Sequence, residues 1–107
     1  MTVFINCTPH DLAIVDSNGV VRNIPRSGII SRVASKDTVV DVIDGIDVTI
    51  TTFGDPVDVP DPADGTFFIV SRMVASACPG RSDLLVPGPL VRDDQGRVIG
   101  ARGFGRV

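Results

Sequence analysis

The sequence has no tryptophan, no tyrosine and no glutamate, and it has one histidine, one lysine and two cysteines. Each shortage excludes something. Without Trp or Tyr, and with a pI near 4.8, the chain offers little to stack bases or neutralise a phosphate backbone, so nucleic acid is not an expected partner. A lone His rules out a multi-His metal centre, and His10 with Cys7 and Cys78 makes a poor zinc set. No metal and no cofactor is expected. The two cysteines form no C-x-x-C pair and no disulfide framework. They read as small buried hydrophobes, with a reactive thiol or a bridge as alternatives. There is no G-x-x-x-x-G-K-[ST] phosphate loop. The glycines of Gly100-Ala101-Arg102-Gly103-Phe104-Gly105 do not make a G-x-G-x-x-G opening a helix. A Cys–His nucleophile pair with His10 is possible only by arithmetic. The expectation is therefore a protein that is not an enzyme. No apolar run approaches the ~20 residues that span a bilayer, so no membrane association is expected. The segment Met1-Thr2-Val3-Phe4-Ile5-Asn6 lacks the basic and apolar regions of a signal peptide, and the expected location is cytoplasmic.

What is present fits one globular domain over residues 1–107, with 43% apolar residues and enough length to bury one core. The net charge of −3 hides an asymmetry: residues 1–64 carry −6 and residues 65–107 carry +3. All thirteen acids are Asp and nine of the ten bases are Arg. Asp suits turns, where a short carboxylate caps local N–H groups. Arg presents a planar donor fork that matches phosphate and carboxylate, although the codon bias of a GC-rich genome accounts for the Arg excess equally well.

Turn signals divide the chain into short extended runs. Val3–Cys7, Leu12–Val15 and Val20–Ile24 read as strands, broken at Thr8-Pro9-His10-Asp11 and at Asp16-Ser17-Asn18-Gly19. Ile29–Ala34 alternates at period two. Thr38–Ile43 and Ile46–Phe53 flank the hairpin signal Asp44-Gly45 and place Val48, Ile50 and Thr52 on one face. Gly54–Gly65, with three prolines and four aspartates, reads as an ordered loop or irregular edge. Thr66–Val70 is the most apolar run and the expected central strand. Ser71 is an N-cap for a short helix through Cys78, stopped by Pro79-Gly80. Ser82–Val86, Leu90–Arg92 and Arg97–Ile99 complete the strands, with Pro87-Gly88-Pro89 as a corner. The expected fold class is mainly β (α+β at most): a compact small barrel or sandwich of short strands with one short helix.

Polar donors at strand-to-turn boundaries are the candidate site residues. His10 follows a strand beside a Pro turn and reads either as a ligand-facing group or as a ring that ties down a turn. Arg72, Arg81, Arg92 and Arg102 in the basic third could hold an anion or could be a solvated surface with weak ion pairs. Asp83 is placed to pair with Arg81. Thr8 and Ser71 would be neutral partners. His10, Arg81 and Arg92 are expected near one pocket.

Several blocks carry a resemblance: Ile5-Asn6-Cys7-Thr8-Pro9-His10, close to N-L-T-P-H; Ile24-Pro25-Arg26-Ser27-Gly28, close to I-P-P-S-G; Phe53-Gly54; Ile69-Val70-Ser71; Arg81-Ser82-Asp83 with Pro87-Gly88-Pro89; and Arg92-Asp93 with Gly96-Arg97-Val98-Ile99-Gly100. Together they resemble a family of short phage and prophage proteins, from which this chain departs at Cys7, usually Leu, and Arg26, usually Pro. The resemblance implies a context that includes anti-defence factors, one class of which sequesters nucleotide second messengers, often as an oligomer. It suggests a non-enzymatic binding protein that sequesters a small anionic, phosphorylated or nucleotide-derived ligand. A protein-binding or virion-associated interaction module is the alternative. A homo-oligomer is expected because exposed strand edges need cover.

Overall fold

Apolar runs punctuated by Asp–Gly turns fold into two four-stranded sheets, a long two-stranded arm and one short helix, and the computed structural model describes all residues from Met1 to Val107. In chain order the elements are β1 (Val3–Asn6), β2 (Leu12–Val15), β3 (Val21–Ile24), β4 (Arg32–Ile43), β5 (Ile46–Val57), β6 (Thr66–Ile69), α1 (Arg72–Ala77), β7 (Leu84–Pro87), β8 (Leu90–Arg92), β9 (Val98–Arg102) and β10 (Phe104–Gly105).

The first sheet has the order β1-β6-β7-β10, with β6 parallel to both β1 and β7. An interior strand is covered on both faces, which is why Thr66–Ile69 is almost continuously apolar. Phe68, Leu84 and Val86 pack with Val74 and Ala75 of α1 and with Cys7 into the main core. Helix α1 starts where the Ser71 hydroxyl accepts from the Val74 N–H at 3.3 Å, as an N-cap should. On the opposite face of this sheet, alternation sets Phe4 beside Phe67 and Asn6 beside Ile69.

The second sheet, β3-β2-β9-β8, buries Ile14, Val15 and Ala101. Two of its turns use one device. In Asp16–Val20 and in Asp93–Arg97 the first carboxylate accepts two backbone N–H bonds and a glycine with positive φ sits fourth. This is why the acids are short ones: a local cap needs a carboxylate one carbon from the backbone. The chain crosses from β9 to β10 at Gly103, and the Gly88 N–H donates to the Gly103 carbonyl there.

Mainly β architecture with one short helix is what the structure has, but the sheets do not close into a barrel, and not all strands are short. β4 and β5 are twelve residues each. The sequence reading breaks β4 at Ser35-Lys36-Asp37, where apolar alternation lapses. Those residues pair with Phe53, Thr52 and Thr51 on an exposed ribbon, where polar side chains incur no desolvation and the alternation rule has nothing to act on. β10 is missed for a related reason, since two residues give no period.

Two glycines make checkable demands. A Cβ on Gly88 would collide with the Arg102 carbonyl oxygen and lie 2.9 Å from that of Gly103. Gly88→Ala should therefore destabilise the protein by about 1–3 kcal/mol in a denaturant melt, the range for forced overpacking. Gly45, at φ +75°, forms the arm's tip with Asp44 at φ +51°. Gly45→Val should strain that turn by about 1 kcal/mol or more. Because the arm lies outside the core, the loss should appear as faster amide exchange along β4 and β5, with a small change in the global midpoint.

Candidate functional site

The motif Asn6-Cys7-Thr8-Pro9-His10 resolves into a structural knot. Asn6 is 1% exposed. Its amide N–H group donates to the His10 carbonyl at 2.7 Å and to the Ile24 carbonyl at 3.0 Å. Its side-chain oxygen accepts from the Thr8 hydroxyl at 2.6 Å and from the Thr8 N–H at 3.0 Å. Thr8 is buried and spent in this network, and His10 contributes to it only backbone groups, its carbonyl and its N–H. The imidazole itself is on the exposed side of the turn. Cys7 is fully buried and free, and burial pushes its thiol above the ordinary range against the pull of hydrogen bonding with the Ser31 and Ser27 hydroxyls. Such a thiol is a poor nucleophile.

The basic residues are dispersed. Arg81 grips Asp83 through two bonds of 2.8 Å and donates to the Pro60 carbonyl at 2.9 Å. The side chains are only 24% and 18% exposed. The fork–fork bond and the charge of the partner hold the Asp83 carboxyl below its usual range and raise Arg81. Arg92 donates to the Gly96 carbonyl and braces its own hairpin. Ser71 is the helix cap, and Arg72 and Arg102 are exposed. His10, Arg81 and Arg92 share none of the three main cavities: Arg81 lines one of about 210 Å³ with Arg106, and the other two residues line none. Within that cavity the Arg81 charge is already balanced by Asp83, which leaves Arg106 alone to attract an anion.

A different cleft brings together groups suited to a ligand. It lies between the two sheets, has a volume of about 230 Å³, and is lined by Phe4, Ile14, Arg22, Ile24 and Phe104, with the Asp16–Ser17 turn and Gly103 at its edge. The Phe4 and Phe104 rings are tilted, with centroids 5.1 Å apart. The Arg22 guanidinium carbon lies 5.8 Å from the Phe4 centroid, within cation–π range. Asp16 also reaches this rim, but its Oδ1 is occupied by the Asn18 and Val20 N–H groups. The cleft thus combines two aromatic rings, aliphatic walls and, at its rim, one guanidinium and one carboxylate.

Sequence reasoning missed Phe4, Arg22 and Phe104. A signal existed for Phe104, a single ring in a glycine-rich segment with no run of apolar residues to explain it. None existed for Arg22, because its place above Phe4 depends on how β3 lies against β1. Comparison of the chain with family models, with curated proteins and with solved structures gives no match.

Arg81→Ala should lower stability by about 1.5–3 kcal/mol, the range for hydrogen bonds to charged groups, since it frees Asp83 and unpins the Pro60 loop. The folded-state pKa of Asp83 is depressed, so the pair stabilises the fold above the unfolded carboxyl value and ceases to do so as pH falls through the folded value. Denaturant melts of wild type and Arg81→Ala should differ most near neutrality, and the gap should narrow in acid to the part owed to the Pro60 bond. A constant gap across that range would show that the pair adds nothing.

Proposed function

We propose that this chain is a non-enzymatic binding protein for a small, phosphorylated or nucleotide-like ligand, held in the cleft between the two sheets. The observation that carries the reading is the Arg22 guanidinium stacked over Phe4 beside Phe104. A planar base gains roughly 1–3 kcal/mol from an aromatic face, and a guanidinium at the mouth supplies paired N–H donors for a phosphate. The cleft volume of about 230 Å³ suits one ring, leaving the charged end of the ligand outside, where Arg22 is exposed. Sequestration requires binding without turnover, and the cleft lining has no thiol, imidazole or paired acid and base to drive a reaction. The resemblance of the Asn6–His10, Arg81–Asp83 and Pro87–Pro89 blocks to phage and prophage proteins supports an anti-defence role in a host cytoplasm, with an immune second messenger as the ligand.

A thermal-shift and calorimetric panel of mononucleotides, dinucleotides and cyclic nucleotides tests this. At least one should bind, and Arg22→Ala should weaken it roughly 10- to 100-fold, equivalent to the loss of charge-assisted hydrogen bonds. The melting temperature of the free protein should barely move, because Arg22 is exposed. Phe104→Ala should weaken the same ligand. If no member of the panel binds, or if the Arg22 and Phe104 variants bind as wild type does, the cleft is not the site.

A further inference from the structure

The β4–β5 arm is hard to account for in a single chain. Residues 34–55 are all exposed, although the two strands pair from base to tip. A two-stranded ribbon is marginal in water until a third strand or a packed face supports it. The body gives that support only at the base, where Val33 packs against the core cluster. The whole chain shows the consequence. Its accessible surface is 7330 Å², against about 5,700 Å² for a folded monomer of this mass. Its radius of gyration is 17.0 Å, against about 13 Å for a compact domain of this length. The excess surface, roughly 1,600 Å², leaves room for the ~800 Å² per partner of a standard interface.

One face of the ribbon is complementary to itself. The register puts Ile43, Ile46, Val48 and Ile50 on the same face as Asp41 and Lys36. That face is neutral. Its two charges stand on β4 on either side of Thr38, the residue paired with Ile50, and are about 13 Å apart along the strand. At the tip the face carries Ile43 and Ile46, 60% and 68% exposed. At the base it carries Ala34 and Gly54, where a Cβ on the glycine would lie 3.7 Å from that of Ala34. Val33, which packs on the core, alternates to the other face, so the body stands behind this one. Ile46 and Gly54 are equally distant in sequence from Ile50. We propose that two copies dimerise by stacking these faces with the arms antiparallel, about a two-fold axis at the Thr38–Ile50 rung. Ile50 then meets Ile50, Asp41 meets Lys36 twice over, and the bulky tip of each arm seats on the small residues at the base of the other. Parallel arms would set Asp41 on Val48 and Lys36 on Thr52, taking both charges out of water unpaired. An isologous dimer needs a self-complementary face, and this selects a second copy as the occupant.

Sedimentation of the full chain over a wide concentration range tests this independently of the ligand cleft, whose lining includes no residue of the arm. Wild type should associate as a dimer. Ile50→Asp sets two carboxylates face to face on the axis and should give a folded monomer, checked by circular dichroism. Charge reversal gives a second test that leaves the apolar residues intact. Lys36→Asp and Asp41→Lys each create two like-charge contacts and should each weaken self-association at least about tenfold. An equimolar mixture of these two folded variants should recover dimerisation, with one of each chain per dimer, because every contact between them is again opposite in sign. One chain carrying both changes should dimerise as wild type does. A monomeric wild type would overturn the proposal. So would a dimer indifferent to the Ile50 change, or folded charge variants that fail to rescue each other.

Discussion

The fold depends on one buried amide. Asn6 ends β1 in the first sheet, and its side chain reaches the Ile24 carbonyl at the end of β3 in the second. Its backbone carbonyl accepts from both the N–H and the hydroxyl of Ser27. A single residue therefore spans the seam between the sheets, with its side-chain amide and its carbonyl all satisfied. Removing one partner of such a network strands the others in a low-dielectric site. The position of the cleft follows from it. Phe4 is two residues before Asn6 and points to the same side of the strand. Arg22 is two residues before Ile24. Fixing Asn6 to Ile24 sets the distance between β1 and β3, and this brings the Arg22 guanidinium over the Phe4 ring. The N-x-T-P-H block thus acts on the cleft as a positioning element, with no group of its own inside it.

That distinction explains what could be read from the residues and what could not. Local rules served where local chemistry decides the outcome: the Ser71 cap, the Asp44-Gly45 tip, the Asp16 and Asp93 turns, and the central Thr66–Ile69 strand. They failed where the outcome depends on contacts distant in sequence. Arg81 and Asp83 are adjacent enough to be suspected as a pair, and they are one. Nothing local could show that Arg81 also clasps Pro60, or that Arg22 stands over Phe4. A donor at a strand end looks the same whether it faces a ligand or its own turn. Arg92 and Thr8 face their own turns. A single pocket holding His10, Arg81 and Arg92 needs strand ends that converge, as they do in a closed barrel; in two open sheets they face different ways.

The arm is where the local and global levels disagree. Asp44-Gly45 and the β-branched residues around it specify a ribbon as strongly as any part of the chain, yet that ribbon has almost no core to join. Its packing against the body is chiefly through α1. Natural sequences resolve conflicts of this kind when their function uses the surface that folding leaves exposed. Here the composition carries the same imprint as the shape. Among thirteen aspartates and ten basic residues, the chain forms only two ion pairs, Arg26–Asp11 and Arg81–Asp83. The acidic first part and the basic last part are not neutralising each other within one molecule.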